Sequence, residues 1–145
     1  MLSNIKITEN EMRYMALLEN MTGATIVDCI LEDENETVIF AVKEGEVGLA
    51  VGKGGEKIKR FQRMTNKQVE VYEYIDNAEG FIRNAMKPAK IKEIRLVDRV
   101  GGDRIAMVNV DVKDKGIAIG RNGSNIKKIR FLAQRYFGLD TVLIN

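Results

Sequence analysis

Two short glycine-rich segments contain the residues whose types and spacing point most directly to chemistry. They are Gly48–Arg60 and Gly116–Lys128, and they lie 68 residues apart. Six of their thirteen paired positions are identical, and four more are conservative exchanges. Each contains a Gly-x-x-Gly turn, Gly52–Gly55 or Gly120–Gly123, with a cation at the second position. This repetition predicts two copies of one binding device.

The residue types of the turns favour a sugar-phosphate backbone as the ligand. Glycine permits positive φ and lets another backbone come close, because it has no Cβ atom. A helix is predicted after each turn, and the free N–H groups and dipole of a helix start attract phosphate. Two other phosphate motifs do not fit. A Walker P-loop needs glycine where Val47 stands, and a dinucleotide-binding turn needs glycine where Lys57 stands.

Clusters of positive charge begin at both turns. The net charge of the chain is only +2, but residues 53–67 hold six cations and one acid. Residues 121–135 hold five cations and no acid. Such local clustering is the electrostatic pattern expected of a surface that binds a polyanion.

Composition excludes several classes of function. The chain has no histidine, which removes the commonest general base and most zinc sites. Its single cysteine, Cys29, cannot form an internal disulfide and is expected to be a packing residue. No apolar run approaches the ~18 residues of a membrane helix. We therefore expect a cytoplasmic protein with no membrane contact. An enzyme of this composition would have to rely on carboxylates, lysines or bound magnesium, and we expect no enzyme activity, no cofactor and no metal.

Periodicity and turn residues predict the same order of elements, α-β-β-α-α-β, in both halves. In the first half the predicted elements are a helix from the capping box Thr8–Glu11 to Gly23, strands at 24–32 and 37–43, short helix 44–51, helix 55–65 and strand 68–75. In the second half they are a helix capped within Asp76–Glu79 and running to Met86, strands at 91–100 and 104–112, short helix 113–119, a long helix to Phe137 and strand 141–144.

These elements predict an α+β fold of two tandem domains, one over residues 1–75 and one over residues 76–145. Each domain would have a three-stranded sheet packed by helices. The apolar positions of the helix after the first turn are Ile58, Phe61 and Met64, which we expect to face the core. The corresponding core positions of the last helix are Ile126, Ile129, Leu132, Ala133 and Tyr136.

The residues around each turn resemble those of the KH domain, a family that binds single-stranded nucleic acid. The pattern Ile/Val-Gly-x-x-Gly-x-x-Ile occurs at Val51–Ile58 and again at Ile119–Ile126. The element order is similar to the type II KH domain of prokaryotes. Two type II units in direct succession resemble the RNA-binding portion of the NusA family of transcription termination factors, in its short archaeal form. The polymerase-binding region and S1 domain of bacterial members are not expected in 145 residues.

The resemblance implies a set of RNA-binding residues, since a KH loop clamps about four nucleotides of backbone against a groove. The implied clamp comprises Gly52, Lys53, Gly54 and Gly55, and Gly120, Arg121, Asn122 and Gly123. The implied apolar groove walls are Val51, Ile58, Ile119 and Ile126, and the implied additional phosphate contacts are Lys57, Arg60, Lys127 and Lys128. Asn122 stands where a small or basic residue is usual, and we expect it to tolerate the turn but to alter the contact.

Together these features predict a non-catalytic factor that binds single-stranded RNA in transcription elongation or termination, with RNA polymerase as a candidate partner. If both grooves align, about eight nucleotides would be bound. A ribosome-associated or RNA-processing KH protein is an alternative that the sequence does not distinguish from a transcription factor. A magnesium-dependent nuclease using Asp103, Asp111 and Asp114 is less favoured, because these acids lie at turns and strand ends. A purely structural interaction protein would leave the repeated basic turn unexplained.

Overall fold

The computed structural model describes residues 5–145, and beyond Ile5 these form two compact units, Lys6–Ile75 and Asp76–Asn145. Each unit is α+β and follows the order α-β-β-α-α-β. The elements of the first unit are α1 (Glu9–Thr22), β1 (Ile26–Glu32), β2 (Thr37–Lys43), α2 (Val47–Val51), α3 (Glu56–Thr65) and β3 (Gln68–Tyr74). Those of the second are α4 (Ala78–Ala85), β4 (Ile91–Asp98), β5 (Arg104–Val110), α5 (Lys115–Ile119), α6 (Ser124–Phe137) and β6 (Thr141–Ile144).

The two sheets have the same topology, with strand orders β1-β2-β3 and β4-β5-β6. The first two strands of each sheet are antiparallel, and the central strand pairs with the last one in parallel. A parallel pair needs a crossover connection, and here the crossover consists of a short helix, a Gly-x-x-Gly turn and a longer helix. The sheet topology therefore places each glycine turn in the connection between two parallel strands.

The first helix begins as its sequence predicts. The Thr8 hydroxyl accepts a hydrogen bond from the Glu11 amide, and the Glu11 carboxylate accepts one from the Thr8 amide. This reciprocal pair satisfies two N–H groups that a helix start would otherwise leave open. Gly23 ends the helix in the left-handed conformation, with φ of 77°. The other carboxylate oxygen of Glu11 accepts from the Leu31 amide, so the same residue also joins α1 to β1.

The core of the first unit lies between its sheet and its helices. Phe40 of the central strand meets Phe61 of α3 edge-on, with ring centroids 5.4 Å apart. Cys29 is fully buried in this core, as predicted. The prediction for Met64 is wrong, because its side chain is 56% exposed. Each three-residue step along a helix falls about 60° short of a full turn, so two steps carry Met64 away from the face of Ile58.

The core of the second unit is built on α6. All five positions predicted for its apolar stripe, from Ile126 to Tyr136, are buried. The ring of Phe81 from α4 packs against Tyr136, with centroids 5.5 Å apart. The N-cap of α4 is Asn77, whose side chain accepts from the Gly80 amide at 2.6 Å. The N-cap therefore lies within the predicted segment Asp76–Glu79. Within residues 5–145, no helix is long and apolar enough to cross a membrane.

Candidate nucleic-acid interface

The two glycine turns, called loop 1 (Gly52–Gly55) and loop 2 (Gly120–Gly123), have nearly the same backbone conformation. Their first glycines have φ, ψ of 80°, 170° and 78°, 171°. At the third position Gly54 has 64°, 18° and Asn122 has 55°, 27°. Asparagine is one of the few residues with a side chain that enters this left-handed region readily. The structure thus shows how Asn122 fits a turn in which the other copy uses glycine.

The first glycine of each loop is required for two separate reasons. Its torsions lie in a region that essentially only glycine occupies. A Cβ atom on Gly52 would also lie 2.8 Å from the Cγ atom of Lys57. On Gly120 it would lie 2.7 Å from the Cβ atom of Asn125 and 2.8 Å from its backbone nitrogen. The chain therefore doubles back tightly at this glycine, and the loop tip projects beyond it.

A side chain from the following helix holds the short preceding helix in place. The ammonium group of Lys57 donates to the carbonyl oxygen of Leu49 at 3.2 Å. In the second unit the side-chain amide Nδ2 of Asn125, the residue equivalent to Lys57, donates to the carbonyl oxygen of Ala118 at 3.0 Å. These bonds satisfy carbonyl groups that the end of a helix leaves open. Lys57, an expected phosphate contact, therefore also has a structural role, and its contact with RNA stays a prediction.

The helix starts that follow the loops differ in charge. The N-caps of these helices are Gly55 and Gly123. Glycine has no side chain to accept a hydrogen bond from the first N–H groups of the helix. The positive end of the helix dipole favours an anion there. The first residue of α3 is Glu56, an exposed acid, whereas the first residue of α6 is the neutral Ser124. The environment of loop 2 is thus more favourable for a phosphate than that of loop 1.

The structure leaves most of the expected cations accessible. Lys53, Arg60, Arg121 and Lys127 are exposed, while Lys57 and Lys128 are half-buried. Lys53 and Arg121 stand at the loop tips, where a mobile charge can reach a bound phosphate. The geometry therefore combines open backbone turns, helix starts and flexible cations in both units.

Comparison with known proteins agrees with this geometry. A KH domain model matches residues 12–96, and a model of the NusA-like second KH domain matches residues 78–142. A protein of Halococcus morrhuae named probable transcription termination protein NusA is 34% identical over 95% of this chain and 96% of its own length. A protein of the same name from Methanocaldococcus jannaschii is 33% identical over 93% of this chain and 72% of its own. The chain belongs to the NusA family.

A solved structure has the same fold over nearly the whole chain. The crystal structure of APE1850 superposes with a TM-score of 0.87 at 37% identity, over 96% of this chain and all of the other. The resemblance to NusA and to tandem KH domains is therefore confirmed, and so is the α+β fold.

The apolar residues beside the loops of this NusA-family chain are unequally exposed. Ile126 is only 4% exposed, so it is a core residue with little area for a base, whereas Ile58 is half-buried. Ile119, just before loop 2, is 40% exposed, and Val51 is half-buried. The two units thus present different apolar surfaces for a base to lie against.

Sequence reasoning missed one pair of apolar residues in these KH domains. Leu49 and Ile117 occupy equivalent positions on the short helices before the loops, and they are 46% and 48% exposed. Both side chains are thus exposed at the same position of the repeat, directly before the loops. The signal was present in the sequence, because this pair is one of the four conservative exchanges between the repeated segments.

Each of the three aspartates that a magnesium-dependent nuclease would use has a local hydrogen-bond or ion-pair partner. Asp103 pairs with Arg99 at the β4–β5 hairpin, 3.2 Å away. Asp111 accepts from the Lys113 amide and Asp114 from the Lys90 amide. Among residues 5–145 there is no group of three or more His, Cys, Asp or Glu side chains arranged to hold a metal ion.

Proposed function

We propose that the chain is a non-catalytic, single-stranded RNA-binding factor of transcription elongation or termination that contacts RNA through both Gly-x-x-Gly loops. The observation that carries the proposal is the agreement of the two loops. Their torsions at the first, third and fourth positions differ by no more than 9°. Each loop bears an exposed cation, and the chain belongs to a family whose archaeal relatives are named transcription termination proteins.

The residue types of the two loops favour contact with the RNA backbone over recognition of the bases. The loops offer backbone N–H groups, lysine and arginine, which bind phosphate without sequence preference. Base preference must then come from the apolar groove beside each loop. Two weak sites on one chain raise the effective concentration of the second site once the first is filled. A strand that spans both sites is therefore bound more tightly than either site alone allows.

Binding of short RNA to loop variants tests this proposal. The variants are Lys53→Asp with Gly54→Asp in loop 1, and Arg121→Asp with Asn122→Asp in loop 2. Aspartate tolerates the left-handed conformation of the third loop position, so the variants should fold, which circular dichroism verifies. We expect each variant to lose much of the affinity for single-stranded RNA, and the wild type to prefer it over duplex RNA. Matched single-stranded DNA measures whether the 2′-hydroxyl contributes to binding. Undiminished binding by both variants would contradict the clamp.

The role in transcription is tested separately from RNA binding. We propose RNA polymerase as a protein partner, because the named relatives are transcription termination proteins. A tagged chain should co-purify with polymerase subunits after nuclease treatment. Co-purification with ribosomal particles instead would favour the ribosome-associated alternative and leave the RNA-binding part of the proposal intact.

A further inference from the structure

The second unit carries a group of lysines that the Gly-x-x-Gly loops do not account for. They lie on two segments that hydrogen bonds hold together. One runs from the α4–β4 connection into the start of β4, and the other leads into the first residue of α5. The lysine cluster comprises Lys87, Lys90, Lys92, Lys113 and Lys115. Four of the five are exposed, and Lys115 is half-buried.

Backbone hydrogen bonds hold the two segments together. The Lys90 amide donates to the Asp114 carboxylate at 2.9 Å, and the Lys90 carbonyl oxygen accepts from the Asp111 amide at 3.0 Å. Both aspartates in the cluster are thus bonded to backbone N–H groups, Asp111 to that of Lys113. Within the described part of the chain, none of the five ammonium groups forms an ion pair. Five lysines against three acids, Glu93, Asp111 and Asp114, leave a positive excess.

The fold does not require four of these lysines, because the first unit makes the same pair of hydrogen bonds between its two segments without them. There the Thr25 amide donates to the Glu46 carboxylate at 2.6 Å, as the Lys90 amide does to Asp114. The strand registers Ile26↔Val42 and Ile91↔Val110 align the two units at this point. On that alignment the positions of Lys90, Lys92, Lys113 and Lys115 are occupied in the first unit by Thr25, Val27, Gly45 and Val47.

Assembling like charges without a folding role costs free energy through mutual repulsion, so an anionic ligand is the natural explanation. The short helix α5 joins the cluster to loop 2, since Lys115 is its first residue and Gly120 follows its last. Five helical residues span only about 7.5 Å. The helix contains no acidic residue that would interrupt the path.

We propose that the lysine cluster extends the RNA track of the second unit beyond the nucleotides that loop 2 clamps. This inference rests on the proposed RNA-binding function and adds a second phosphate-contacting surface to it. Lysine presents a compact charge on a flexible stem, suited to phosphate and unsuited to reading bases. The contact is therefore independent of sequence and dependent on RNA length. RNA is favoured over an acidic protein surface because the cluster adjoins loop 2 through one short helix.

The test measures binding as a function of RNA length and salt, in the full chain with loop 1 disabled by Lys53→Asp and Gly54→Asp. The cluster variant is Lys90→Gln with Lys113→Gln. Its charge-matched control is Arg99→Gln with Arg104→Gln, at the far end of β4. That strand spans eight residues, so the two sites are roughly 25 Å apart. The exposed ion pairs of Arg99 and Arg104 contribute little to stability, so the control should fold.

We expect the cluster variant to bind a four-nucleotide RNA as its parent does and to bind a ten-nucleotide RNA roughly tenfold more weakly. The slope of log affinity against log salt for the longer RNA should become shallower by about 1.4, or about 0.7 for each lost phosphate contact. The control should leave the length dependence unchanged. Equal losses in variant and control, or an equal loss for both RNA lengths, would overturn the inference.

Failure of this inference is distinguishable from failure of the proposed function. If a loop 2 variant loses affinity for RNA and the cluster variant does not, RNA binding by the loop is supported and the extended track is refuted. The lysine cluster would then be assigned to an acidic protein partner. If the unmodified chain binds neither RNA length, the proposed function itself fails. Thermal unfolding of every variant confirms that each comparison is made between folded proteins.

Discussion

A Cβ atom on Gly120 would lie 2.8 Å from the backbone nitrogen of Asn125, closer than real Cβ atoms approach backbone. The first residue of α6 is Ser124, so the turn is packed directly against the first turn of the helix that follows it. The position of loop 2 relative to the start of α6 therefore depends on the absence of a Cβ atom at residue 120.

Replacement of Gly120 by alanine should destabilise the second unit. The substitution adds a backbone clash to torsions that essentially only glycine adopts, at a cost on the order of 1–3 kcal/mol. Gly116→Ala is the matched control, because Gly116 lies within α5 and a Cβ atom there meets nothing within 4 Å. Alanine should be neutral or stabilising at that position by up to about 1 kcal/mol. Urea unfolding of both variants measures the difference, and equal effects would contradict the packing argument.

Exchange of Lys57 for asparagine should separate its two roles. Asn125 occupies the equivalent position in the second unit and donates to Ala118, which corresponds to Ala50. Lys57→Asn can therefore bond the carbonyl next to that of Leu49 and should retain stability to within about 0.5 kcal/mol. Lys57→Ala removes the donor to Leu49 and should cost about 1 kcal/mol. The ammonium group has three donors, which leaves it able to contact phosphate as well. We therefore expect both variants to bind RNA more weakly. Affinity equal to wild type in a folded Lys57→Asn variant would assign this lysine to structure alone.

Removal of the capping hydroxyl at Thr8 should weaken α1. Thr8→Ala leaves the Glu11 amide without its acceptor, at a cost of about 1 kcal/mol. Thr8→Ser keeps the hydroxyl and serves as the control. Thermal unfolding should place the alanine variant several degrees below the serine variant, since 1 kcal/mol corresponds to roughly 4–8 °C for a domain of this size. Coincident unfolding curves would show that the capping box adds nothing to stability.

The stability of the first unit should fall in alkaline solution. Burial, together with the nearby Glu70 carboxylate, raises the pKa of the Tyr72 hydroxyl above its ordinary value of about 10. The folded state thus retains this proton where the unfolded state loses it. The resulting stability is present below pH 10 and is lost as pH rises toward the folded-state pKa. Tyr72→Phe cannot ionise there, so its unfolding free energy should decline less above pH 10. If the unfolding free energies of variant and wild type decline in parallel, Tyr72 is not the cause of the alkaline loss of stability.

Local features of the sequence were sufficient wherever the determining interactions lie within a few residues. Gly138 ends α6, and the predicted limits of β2 and β6 agree with the structure. The Thr8 cap and the apolar stripe of α6 were likewise correct, because caps and helical periodicity depend on neighbours three or four residues apart. The repeated turns revealed the tandem organisation for a related reason, since their torsions are set by the residues of the turn itself.

Tertiary structure decided what depends on residues distant in sequence. The exposure of Leu49 and Ile117 follows from how each short helix packs in its unit, which helical periodicity does not fix. Pairing of β2 with β3 in parallel places loop 1 in a crossover, and only the assembled sheet shows this. The lysine cluster is also invisible in the linear sequence, because Lys90 and Lys113 are brought together by hydrogen bonds between two separate segments. Electrostatic attraction depends on the distances between charges, and the fold sets those distances.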